Sequence, residues 1–72
     1  MGKIKLDKAN VAYEQKSGDI LATISCDKED LDITDLFNFL LDENVIKDPG
    51  KWKFFRAFGS NPVKCIFKRW YF

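Results

Sequence analysis

The spacing of apolar and polar positions changes along the chain, and each change marks an element. Ile4 and Leu6 alternate with Lys3, Lys5 and Asp7, while Val11 and Tyr13 alternate on the opposite parity. Alternation places apolar side chains on one face of a strand, and a one-residue slip turns them to the other face. The pattern therefore predicts a strand over 3–15 with a bulge or bend near Asp7–Asn10. KSGD, residues 16–19, is a turn cluster around Gly18. ILATISC, residues 20–26, is rich in strand formers, with Ile20, Ala22 and Ile24 on one side. The two segments read as a hairpin.

The period then lengthens. Ile33, Leu36, Phe37, Leu40 and Leu41 form a single stripe at helical spacing. Asp32 suits the N-cap, where a carboxylate accepts from free backbone N–H groups. Leu31 before it suits a hydrophobic staple onto Leu36. Asp35 in the first turn complements the positive end of the helix. The helix is expected to end near Asn44, and Asp48-Pro49-Gly50 has the residue order of a type II turn.

KWKFFRAFGSNPVKCIFKRWYF, residues 51–72, reads as a second hairpin with GSNP, residues 59–62, as its loop. A four-residue loop places Phe58 opposite Val63, Arg56 opposite Cys65, Phe54 opposite Phe67 and Trp52 opposite Arg69. That face is the expected helix-packed side. The other face then pairs Phe55 with Ile66, Ala57 with Lys64, Lys53 with Lys68 and Lys51 with Trp70, and alternation adds Phe72. The fold class is α+β: a small single domain over 1–72, in β-β-α-β-β order. Its antiparallel sheet has about four strands, with one amphipathic helix packed on one face.

Composition makes the C-terminal face more pointed. Residues 51–72 hold eight aromatic residues and six lysines or arginines, with no acid. Residues 1–50 hold six lysines against eleven acids, and eight of those acids fall within 27–48. The chain is thus an electrical dipole despite its net charge of +1. A lone helix shelters one side of a sheet, so Phe55, Ile66 and Trp70 on the other side are apolar groups in need of a partner. Three accounts compete: the terminal strand bends its rings back into the core, the face meets a protein or another copy, or its rings stack on nucleic-acid bases.

Candidate chemistry is sparse. The 72 residues include no histidine, which removes the commonest general base and metal ligand. Cys26 and Cys65, the only cysteines, are far apart and read as reduced, part-buried thiols. DKEDLDIT, residues 27–34, departs from a calcium loop where Leu31 takes the third ligand position and Asp32 the place of its glycine. No phosphate-binding glycine loop is present. No enzyme activity, cofactor or metal site is therefore expected. The apolar residues form no run long enough for a membrane span, and the first residues lack the apolar core of a signal peptide. Gly2 opens no myristoylation signal, because Leu6 stands where Ser or Thr belongs. A cytoplasmic protein is expected.

These features support a non-catalytic regulatory or inhibitory protein that binds a macromolecule, foremost a protein, with a nucleic-acid-handling protein among the candidates. The contact residues proposed from sequence are Phe55, Trp70, Lys53 and Lys68 on the open sheet. Phe39, Asp42 and Glu43 on the helix join them, with Phe39 read as a ring off the apolar stripe among acids. The alternative is a single-stranded nucleic-acid binder using Lys51, Lys53, Phe55, Lys64, Lys68 and Trp70. A homodimer joined through the sheet face or an edge strand is a third reading.

Overall fold

A computed structural model describes residues 4–70. Its elements are β1 (Val11–Lys16), β2 (Asp19–Ile24), α1 (Ile33–Asp42), β3 (Trp52–Phe58) and β4 (Val63–Arg69), with short 3-10 turns at Lys28–Asp30 and Pro49–Lys51. The four strands form one antiparallel sheet in the order β1-β2-β4-β3. This is the expected α+β arrangement. The two hairpins join along β2 and β4, so those strands are central and β1 and β3 lie at the edges.

The core follows the predicted faces. Ile20, Ala22 and Ile24 of β2 and Val63, Cys65 and Phe67 of β4 pair across the sheet and are fully buried. Leu36 and Leu40 of α1 close over them. Phe67 is the centre of a ring cluster, 5.9 Å from Phe37 and 5.7 Å from Phe54 between centroids. Both ends of α1 carry the capping chemistry that their sequence permits. The Thr34 N–H donates to the Asp32 carboxylate at 2.9 Å. At the other end Asn44 takes a left-handed φ of 63°. The Asn44 N–H donates to Leu41 C=O and the Val45 N–H to Leu40 C=O, at 3.1 and 2.9 Å. These are the paired bonds of a Schellman motif, and they direct Val45 and Ile46 onto the core.

Three expectations change. The strand predicted over 3–15 begins only at Val11. Asp7 accepts from the Ala9 N–H, and Asn10 accepts from the Asp7 N–H, closing a turn that side chains hold. The preceding segment therefore leaves the sheet. The Ile4 N–H bonds to Asp30 C=O, and Ile4 and Leu6 pack as half-buried residues against the core. Lys3 and Phe72 lie outside the described residues. Asp48-Pro49-Gly50 is not a type II turn, because Gly50 lacks the positive φ which that turn needs. Instead the Lys51 N–H donates to Asp48 C=O and the Trp52 N–H to Pro49 C=O, a 3-10 turn.

The third change bears on function. β3 and β4 keep the expected register at Trp52–Arg69, Lys53–Lys68 and Phe54–Phe67, and then slip by one residue. Beyond the slip Arg56 pairs with Ile66, Ala57 with Cys65 and Phe58 with Lys64. Phe55 is the bulged residue. In the unbulged register Arg56 would lie on the core face opposite Cys65, where a guanidinium has no partner. The bulge turns it to the open face and brings small Ala57 in, which removes the cost of burying an unpaired charge. In the loop Gly59 takes a positive φ of 78°, which its missing side chain permits, and Asn61 has φ 44°. The loop is tied to the chain after β2 by Asn61 N–H to Cys26 C=O at 2.8 Å and Lys28 N–H to Ser60 Oγ at 3.0 Å.

Candidate binding surface

The face of the sheet away from α1 is built in three ranks across β2, β4 and β3. Register places Asp19, Lys68 and Lys53 in one rank, Leu21, Ile66 and Arg56 in the next, and Thr23, Lys64 and Phe58 in the third. Phe55 joins this face through the bulge, and Trp70 extends it beyond β4, where its N–H donates to Lys51 C=O at 2.7 Å. The expected Lys51–Trp70 pairing is thereby met. Phe55 is 51% exposed, Trp70 44% and Phe58 39%, whereas Leu21 and Ile66 between them are half-buried.

Each exposed ring on this face carries a cation. Lys53 Nζ lies 4.4 Å from the Trp70 ring centroid, Lys68 Nζ 4.9 Å from Phe55, and the Arg56 guanidinium 5.3 Å from Phe58. The ring quadrupole attracts a cation at this range by roughly 0.5–1 kcal/mol at exposed sites. Lys68 also reaches the Asp19 carboxylate at 3.3 Å. The outcome is an apolar floor with a fringe of positive charge, interrupted by Asp19 and by Glu14, which lies 3.7 Å from Lys16.

The sequence-predicted residues Phe55, Trp70, Lys53, Lys68 and Lys64 thus come together, with Lys51 exposed at the margin. Arg56 and Phe58, which the unbulged register places on the core face, belong with them. Phe39, Asp42 and Glu43 do not join the group, because they lie on α1 and its C-cap, on the opposite side of the sheet. Phe39 is half-buried and packs against the core, at the edge of a groove that it lines with Ile4, Leu6, Asp35 and Asp42. Glu43 is half-buried and paired with Lys8 at 3.4 Å, while Asp42 is exposed.

The thiols are reduced and buried. Burial pushes Cys65 up to about 11, reinforced by neighbouring Cys26 and opposed by Lys28. Cys26 is raised as well, by burial first and then by Asp30 and Asp27. A thiol held in its neutral form is a poor nucleophile. Among the described residues no cluster of three or more metal-ligating side chains is gathered, and no helix is long and apolar enough to cross a membrane. Comparison with protein families, curated proteins and solved structures returns no match.

Proposed function

We propose that this chain is a non-catalytic regulatory or inhibitory module that binds a protein partner on the open face of its sheet. The observation that carries this reading is the trio of water-exposed rings, Phe55, Phe58 and Trp70, each topped by a basic side chain. Burying a large apolar side chain is worth roughly 1.5–3 kcal/mol, so three half-wet rings in a domain this small hold unspent association energy. Aromatic residues and arginine are also the groups that dominate the centres of protein interfaces. The acidic surface of α1 lies on the other side, so the molecular dipole orients an anionic partner toward the rings during encounter.

Single-stranded nucleic acid fits less well. A base must displace the cation that already covers one side of each ring, and Asp19 and Glu14 set carboxylates in the path of phosphates. The test is comparative affinity capture from the native host, using the wild-type chain, the double variant Phe55→Ala/Trp70→Ala and the helix-side variant Asp42→Lys. A protein retained by wild type and by Asp42→Lys but lost from the ring variant supports the proposal. Equal retention by the ring variant overturns it. Salt-sensitive quenching of tryptophan fluorescence by single-stranded DNA or RNA, abolished by Lys53→Glu, assigns the face to nucleic acid instead.

A further inference from the structure

We infer that the partner presents an extended strand of alternating apolar and acidic residues, which pairs along the outer edge of β3. This deepens the proposal above and rests on its reading of the C-terminal hairpin as the binding surface. Among the described residues β3 pairs only with β4, so its other edge offers free backbone N–H and C=O groups. The bulge distributes rings to both sides of that edge. Phe55 and Phe58 stand on the open face, and Phe54 stands on the helix side, 41% exposed.

α1 covers the central strands and stops short of β3. Val63 and Phe67 are fully buried, yet Phe54 beside them is exposed and Ala57 only half-buried. A groove of about 330 Å³ remains between β3 and the start of α1, lined by Lys28, Leu31, Ile33, Phe54, Ala57 and Val63. Its walls are apolar apart from Lys28. The open-face side of the same edge carries Lys53 and Arg56. A strand added to β3 would turn alternate side chains to these two environments, apolar ones into the groove and acidic ones toward the cations.

The same charges select among occupants. A second copy of β3 would bring cation against cation, which is one way natural sheets keep edges from pairing with themselves. An acidic strand meets attraction at those positions. Nucleic acid has no backbone that matches the alternating donors and acceptors of a strand edge. The β1 edge lacks the combination: it shows a single exposed ring, Tyr13, and charges of both signs in Glu14 and Lys16.

The test uses the intact chain, labelled for amide NMR, and a short synthetic peptide alternating Leu and Glu. Controls are a Leu/Lys alternation and a peptide with the same Leu and Glu in separate blocks. The expected result is slowed hydrogen exchange at β3 amides with the Leu/Glu alternation alone, and roughly tenfold weaker binding to Phe54→Ser. Thermal melts of Phe54→Ser and of Lys53→Glu/Arg56→Glu show that each variant is folded. Shifts confined to Phe58, Lys64 and Trp70, with β3 exchange unchanged, overturn the edge pairing and leave a partner lying flat on the open face. No binding by any peptide overturns the inference, and the capture experiment then decides the broader proposal separately. Concentration-dependent mass in sedimentation without peptide assigns the edge to a second copy and overturns it too.

Discussion

Phe55 and Phe67 lie on the two strands of one hairpin and on opposite faces of the sheet, and truncating each to alanine separates a binding ring from a core ring. Phe67 is fully buried between Phe37 and Phe54. Its loss removes transfer energy and leaves a cavity, about 3–5 kcal/mol in such sites. Phe55 is 51% exposed. Half of a full burial term is about 0.7–1.5 kcal/mol, and its contact with Lys68 adds roughly 0.5–1 kcal/mol. Phe55→Ala should therefore cost about 1–2.5 kcal/mol. A chain of 72 residues has a total stability of roughly 4–11 kcal/mol on a per-residue scale. Phe67→Ala thus removes a large share of the fold's margin, and Phe55→Ala leaves most of it. Urea unfolding followed by tryptophan fluorescence reads both, with unchanged m-values as the check that the compared states are alike. A loss at Phe55 equal to that at Phe67 would show that the bulged ring is structural, and the argument for a surplus of exposed aromatic surface would fail.

Asn44 holds a left-handed φ of 63° in the Schellman motif. Asn44→Ala should lower stability by roughly 1 kcal/mol and Asn44→Gly should match or exceed wild type, which thermal melts resolve as a shift of about 4–8 °C per kcal/mol. Cys65 keeps its proton in the native state up to about 11, against an ordinary 9.0. The unfolded chain loses that proton first, so this contribution is complete below pH 9 and disappears as pH rises toward 11. Its full size is on the order of 2–3 kcal/mol. Denaturation midpoints measured across that range should fall more steeply for wild type than for Cys65→Ala, and parallel curves would refute the assignment.

Much of this fold is legible because its strongest signals are local. Ile33, Leu36, Phe37, Leu40 and Leu41 define one helical face without reference to anything else, and Asp32 caps it by a bond to its own first turn. Ile20, Ala22 and Ile24 alternate cleanly because β2 is central and one of its faces is wholly buried. The bend expected near Asp7–Asn10 is present, but Ile4 and Leu6 alternate as a strand does without pairing in the sheet, and alternation alone does not distinguish the two. Phe39 lies off the apolar stripe yet is half-buried against the core, because helical periodicity does not contain how far the helix is rolled onto the sheet. In β3 the run Phe54-Phe55-Arg56-Ala57-Phe58 has no clean period, so loop length alone sets the expected register. The sequence carries a usable signal, since strict alternation sends Arg56 to the core face opposite Cys65. One added residue restores a sensible pattern, and the adjacent pair Phe54-Phe55 marks where it enters.

That repair suggests a direct test of what the bulge is for. Deleting Phe55 would join Phe54 to Arg56 with the pairs Phe54–Phe67, Arg56–Ile66, Ala57–Cys65 and Phe58–Lys64 all kept. Every core contact of β3 then survives, and the ladder becomes regular. What disappears is the ring under Lys68, worth about 1–2.5 kcal/mol by the same reckoning as above, partly offset by the more regular ladder. The deletion should fold, with cross-strand nuclear Overhauser contacts between Ala57 and Cys65 and between Phe58 and Lys64 intact, and with the loss of stability no larger than that of Phe55→Ala. It should also weaken partner capture, because Phe55 no longer stands beside the edge. If the chain instead unfolds, or Arg56 slides to pair with Cys65, the bulge is a requirement of the fold and its exposed ring is a by-product. If the chain folds and captures its partner as well as wild type, the contact surface lies elsewhere. Only the remaining outcome, a sound fold with impaired binding, is consistent with a residue inserted for recognition.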